Sequence, residues 1–262
     1  MTSLLFHKVN VLSIDVALGS VCAALFFGKY VAVEISPVTL AVLALTVWII
    51  YTVDHLMDAK RITGQASSER HRFHQQHFVL LRNAVICAAL LTAALLFFLP
   101  VNLLLHGVIL SAGVMTYILL HSYFPYVKEL AVAVIYTMGV FLPAAQELKV
   151  MEYPFALLTS FAIVALINLL LFSWFSEDED RRDGISSLTT FAGRKVLVVI
   201  SLALLIQLSL AIHSGFRSAF LILFAMSVAL AAMLLFPAFF RKHDRYRIGD
   251  AVFFVTLLYL FL

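Results

Sequence analysis

The chain has 262 residues, 63% of them hydrophobic and 13% charged. Its mean hydropathy is +1.02, and a water-soluble domain, typically about 45–50% apolar, could not cover so much apolar surface. The formal net charge of +3 is too small to imply nucleic acid, so the expected surroundings are a lipid bilayer.

A bilayer-crossing helix needs about 20 mostly apolar residues. In chain order the sequence offers nine such stretches: 11–32, 36–57, 79–99, 101–121, 129–147, 153–175, 195–213, 217–237 and a short ninth, 248–262. A single lysine, Lys8, precedes the first stretch and no small-residue cleavage site follows it, so it reads as a retained helix and not a removed signal. Leu99-Pro100-Val101 marks a tight turn between the third and fourth. Cys22 and Cys87 both fall in apolar runs and are expected to be small buried hydrophobes, neither disulfide-bonded nor metal-bound. The expected fold is all-α, a polytopic membrane helical bundle forming one domain over 1–262.

The cations orient this bundle. Only Lys29, Lys149 and Arg217 fall on one side of the alternating spans, and the other 15 of the 18 Lys and Arg fall on the opposite side. The positive-inside rule makes that side, and the N-terminus, cytoplasmic, as in a cell (inner or plasma) membrane protein. The long connections 58–78, 176–194 and 238–247 all lie there, so function is expected at that face.

Two acidic clusters end spans on the same side. The second span closes Asp54-His55-Leu56-Met57-Asp58-Ala59-Lys60-Arg61. Asp54 and Asp58 are four apart, one helical turn, on one face. A charge at the membrane edge is costly and usually functional. Two neighbouring carboxylates repel, and a divalent cation relieves this; hard oxygen donors suit Mg²⁺, which also takes phosphate oxygens. The sixth span closes Ser176-Glu177-Asp178-Glu179-Asp180-Arg181-Arg182-Asp183. Asp180, a turn beyond Ser176, is the favoured ligand there, with Asp178 beside it and Asn168 three turns deeper on roughly the same face. Lys60, Arg61, Arg70, Arg72, Lys128, Arg181 and Arg182, with Asn168, are candidates to hold a diphosphate. The plainer alternative is a solvated helix end, with the cations as interface anchors; for most single cations it is the better reading.

With these motifs the chain resembles the UbiA superfamily of intramembrane prenyltransferases, over its whole length in architecture and in part in motif. Asp54 and Asp58 match the last two carboxylates of that family's first motif, Asn-Asp-x-x-Asp-x-x-x-Asp, while Ile50 and Tyr51 stand at its Asn-Asp. Asp180 matches the second carboxylate of the second motif, with Ser176 at the first and Asp178 at an acidic position between. The segment Gly184-Ile185-Ser186-Ser187-Leu188 through Gly193 matches the residues that follow. Tyr123 or Tyr126 with Lys128 loosely echoes a family Tyr/Lys pair. The resemblance implies a Mg²⁺-dependent enzyme that takes a prenyl diphosphate and transfers the polyprenyl group to an acceptor not identified by sequence. In that chemistry Asp54, Asp58 and Asp180 are the catalytic carboxylates, and Asp178 joins them as a metal ligand. A non-catalytic relative that binds an isoprenoid lipid or a partner protein is the second reading, and a small transporter the third.

His71, His74 and His77 recur at spacing three near His55, which suggests an imidazole metal site or, preferably, an amphipathic surface segment before the third span. Asp15 and Asp250 are membrane charges without a motif. Asp250 is expected to pair with Arg247 one turn earlier, and Asp15 with Asn10 or a neighbouring helix. Glu147, near the far end of the fifth span, has no assigned role.

Overall fold

A computed structural model describes residues 8–120, 127–146, 148–149, 152, 154–183, 193, 195–240 and 242–262. The side chains of 118–120, 180, 242 and 243 lie outside this description, as do residues 121–126 and 184–192 and hence the Tyr123, Tyr126 and 184–188 matches. Glu147 is outside it too.

The described residues are mostly helical and contain no strand. The order is α1 (Ile14–Tyr30), α2 (Pro37–Arg61), α3 (Glu69–Gln76), α4 (Phe78–Leu96), α5 (Val101–Leu120), α6 (Lys128–Ala145), α7 (Phe155–Asp183), α8 (Lys195–His213), α9 (Ser218–Leu235), α10 (Lys242–Ala251) and a 3-10 segment (Val252–Phe261). Among the described residues six helices, α2, α4, α6, α7, α8 and α9, are long and apolar enough to cross a membrane. The chain is therefore built as an integral membrane helical bundle. Of the other three expected stretches, α1 is 17 residues long, α5 runs 20 residues with its last three side chains outside the description, and the ninth is the 3-10 segment. A 3-10 winding rises about 2.0 Å per residue against 1.5 Å in an α-helix, so ten such residues reach about 20 Å, well short of the roughly 30 Å hydrocarbon core.

Local chemistry sets the helix ends. Ser36 caps α2 by accepting from Thr39 N at 3.2 Å, and Pro37 occupies the first turn, where its missing N–H costs nothing. Ser68 caps α3 by accepting from His71 N at 3.1 Å. Before α1, Ser13 adopts a left-handed backbone, φ 55°, which is unusual for a residue with a Cβ. The break separates the helical turn at 8–11 from α1 and lets Asn10 fold back over the start of α1.

The middle of the bundle is α7, 61% buried over its apolar window; at the rim is α4, 6% buried. α7 packs on α6, α8 and α9, while α1 packs on α2, α6 and the 3-10 segment. Phe27 of α1 meets Phe141 of α6 and Phe161 of α7 with ring centroids 5.4 and 5.1 Å apart. These are edge-on or tilted contacts that place the positive ring edge against a negative face. Gln207 of α8 donates to the Ser160 carbonyl at 3.0 Å and to its hydroxyl at 3.1 Å. Of the two cysteines, Cys22 is buried as expected, but Cys87 is exposed. It sits on α4, whose outward apolar residues suit lipid and not the core.

Candidate functional site

The acidic end of α2 keeps the geometry that its spacing implies. Asp54 is exposed and Asp58 half-buried, one turn apart, and Asp58 lies 3.9 Å from Arg61. Lys128, at the start of α6, and His71 of α3 both act electrostatically on Asp54. Lys60 points to solvent.

The connection after α2 is tied down by one amide. Gln75 of α3 donates to the carbonyls of Ala59 at 3.1 Å and Gly64 at 3.0 Å, and its own carbonyl accepts from Ala66 N at 3.1 Å. A three-point clamp of this kind fixes a loop that lacks its own secondary structure. The loop then crosses to α7, where Ser67 N donates to both carboxylate oxygens of Asp183 at 3.1 and 3.2 Å. His71 is consequently acted on by Asp54 from α2 and by Asp183 and Glu179 from α7. The two acidic helix ends thus border the same short helix.

At the end of α7, Asp178 is exposed, and Arg181 pairs with Glu177 at 2.6 Å. Arg182 is exposed, and Arg72 of α3 is half-buried. Among the described residues no three His, Cys, Asp or Glu stand close enough to hold a metal ion without further ligands. That includes the histidines, although His55 lies with its ring centroid 6.2 Å from that of His71 and 5.1 Å from that of His74. Burial and the adjacent Arg70 push the His71 imidazole below its ordinary value. Burial also lowers His74, against a raising hydrogen bond from its ring to the Arg70 carbonyl at 2.9 Å.

Arg70 points elsewhere. It donates to Asn10 Oδ1 at 3.1 Å and lies 4.0 Å from the Asp250 carboxylate. Asn10 in turn donates to Asp15 at 2.6 Å and to Asp250 at 2.9 Å. One amide therefore bridges two buried carboxylates and one guanidinium, drawn from α1, α3, α10 and the turn before α1. Asp250 does not pair with Arg247, which instead reaches Asp244 at 3.5 Å. The reason is direction: Asp250 faces inward, whereas Asp244 is on the wetter side of α10. Gly249 permits the approach, since a Cβ there would come within 2.4 Å of the Phe172 ring and 3.0 Å of Asn168 Oδ1.

Asn168 belongs to this inner cluster and not to the acidic end of α7. The twelve positions from Asn168 to Asp180 make three and a third turns, so the two residues sit about 18 Å apart along the axis and about 120° apart around it. Asn168, Tyr51, Tyr136 and Asp250 border a cavity of about 20 Å³ deep in the bundle. The bond between Asp15 and Asn10 is one that the sequence leads one to expect, whereas no motif points to Tyr136 or Gln75. The available signal was that a carboxylate in the first apolar stretch and another in the last each needed a partner inside the membrane.

The fold and this polar interior define a helical integral membrane protein with a charged face joining α2, α3 and α7. Comparison with known protein families, with curated proteins and with solved structures finds no match.

Proposed function

We propose that the chain is a divergent prenyltransferase of the UbiA type, embedded in a cell membrane with its N-terminus cytoplasmic, transferring a polyprenyl group from a prenyl diphosphate to an acceptor. What supports this reading most is the bordering of α3 by both acidic helix ends, through Ser67 and Asp183 on one side and His71 and Asp54 on the other. A diphosphate needs cations and metal-binding carboxylates converging at a membrane surface, and Lys128 and Arg61 act electrostatically on Asp54.

Mg²⁺ fits the donor chemistry. It is commonly held by one or two carboxylates with substrate phosphate oxygens completing the shell, and Asp54 and Asp58 offer such a pair. Asp178 and Asp180 are the second candidates. When bound, the ion would neutralise the diphosphate leaving group. The protein would supply the rest: lysines and arginines orient the diphosphate, and the apolar interior keeps water from the allylic cation once the C–O bond ionises. Arg70 and Asn168, which serve the inner cluster, fall out of the diphosphate set.

A non-catalytic isoprenoid-binding protein is the second reading. It is favoured by the pairing of Arg61 with Asp58 and of Arg181 with Glu177, which occupies cations that a substrate would need. The deciding measurement is Mg²⁺-dependent pyrophosphate release by purified protein given prenyl diphosphates. The enzyme reading expects release that falls at least about 100-fold in Asp54→Ala and Asp180→Ala, in line with the loss of electrostatic leaving-group stabilisation. Tight isoprenoid binding without release would favour the second reading instead.

A further inference from the structure

The inner cluster has a charge imbalance and an adjoining space with unpartnered oxygens. Asp15 and Asp250 are both buried, and Arg70 is the cation that acts on each of them. With both carboxylates ionised, two negative charges against one positive leave one negative charge in a low-dielectric interior, a state that costs several kcal/mol unless something compensates it. The neighbouring cavity is about 20 Å³ and is bordered by Asp250, Asn168, Tyr51 and Tyr136, with Val16 and Phe253 as apolar walls. Asn168 is only 6% exposed, yet its Oδ1 has no hydrogen-bond partner, and neither has the Tyr136 hydroxyl. Buried polar atoms of this kind are uncommon in native structures and are usually met by an ordered water or an ion.

We propose that this cavity is a binding site for one Na⁺. The donors available are a carboxylate, an amide oxygen and phenolic oxygens, which is the hard-oxygen set that alkali and alkaline-earth cations take. A single positive charge neutralises the cluster, whereas a divalent ion would overshoot it. Mg²⁺ also retains several waters, for which about 20 Å³ has no room when one water needs roughly 10–15 Å³. An ion smaller than a water molecule fits. Asn10 and Arg70 both engage Asp250 through its Oδ2, and the Asn168 amide also hydrogen-bonds to that carboxylate, so Asp250 and Asn168 stand together at the cavity wall. Because Asp15, Asp250, Arg70 and Asn168 come from α1, α10, α3 and α7, the ion would lock the C-terminal segment and α3 onto the centre of the bundle. This inference is independent of prenyl transfer.

The test uses the full-length protein purified in detergent. Equilibrium binding of ²²Na⁺ is measured at pH 8, with thermal unfolding followed in parallel as NaCl replaces choline chloride at constant ionic strength. The expected result is saturable binding of one Na⁺ per chain and a midpoint that rises with Na⁺ and not with choline. Affinity should fall at least tenfold in both Asp250→Asn and Tyr136→Phe. Should Asp250→Asn not fold, Tyr136→Phe decides, because it removes only a hydroxyl from the cavity wall. Absence of saturable binding by the wild type, or wild-type affinity in Tyr136→Phe, overturns the proposal. So does an infrared band of a protonated carboxylic acid that is lost in Asp250→Asn and insensitive to Na⁺, since a proton would then neutralise the cluster.

Discussion

Replacing Asn10 by alanine tests the inner cluster most directly. Its side-chain amide donates at 2.6 and 2.9 Å to Asp15 and Asp250 and accepts at 3.1 Å from Arg70. Each is a hydrogen bond to a charged group, worth about 1.5–3 kcal/mol net in isolation. The three share one network, and water can enter the space left by the amide, so their simple sum overstates the loss. Breaking a buried ionic cluster by removing one member costs about 3–5 kcal/mol, and Asn10→Ala is expected in that range. For a chain of this size about 2–4 °C of midpoint accompanies each kcal/mol, so thermal unfolding in detergent should shift down by about 6–20 °C. The effect must also be coupled: in an Asp250→Asn background, Asn10→Ala should cost at least about 1 kcal/mol less. A midpoint within about 1 °C of wild type, or strictly additive substitutions, would refute the bridging role of Asn10.

Gly249→Ala is expected to cost about 1–3 kcal/mol, as overpacking does, because its Cβ would sit 2.4 Å from Phe172; Gly107→Ala, where a Cβ meets nothing within 4 Å, is the control, and denaturation midpoints of the two compare them. Stability should decline as pH falls below about 6.5. His71 and His74 are held below their ordinary value in the folded state, so the unfolded chain binds more protons in that window and gains on acidification. His71→Gln with His74→Gln should flatten this slope, and an unchanged slope would show that other groups set it. Removing the exposed Arg181–Glu177 pair by Glu177→Gln should alter stability by no more than about 1 kcal/mol, measured in the same melts. In detergent, N-ethylmaleimide should modify Cys87 and spare Cys22, followed by intact mass.

The helical membrane bundle was legible from residue order alone, because apolar stretches of bilayer length admit few structures other than helices that satisfy their own backbone. The one-turn spacing of Asp54 and Asp58 is likewise a property of the sequence, as is the stop at Pro100. The caps at Ser36 and Ser68 obey local rules of the same kind. The form of the last stretch was not legible: apolar composition does not distinguish a 3-10 winding from an α-helix, and 252–261 takes the former. Nor could periodicity settle the outward placement of Cys87, since α4 is apolar nearly all round.

The inner site depended on tertiary structure for a different reason. Asn10 and Asp250 are 240 positions apart, and no local pattern relates them; their meeting requires the break at Ser13, the close approach at Gly249 and the packing of α10 on α7. Local sequence rules offered Arg247 as the partner of Asp250, one turn away, and Arg70 as a ligand for phosphate. Packing turned both expectations around, because an inward-facing carboxylate takes the polar groups that converge on it in space. Sequence alone therefore determined which solvent this chain folds in and where acidic helix ends can form. Only the folded chain decided which charges are left to compensate one another in its interior.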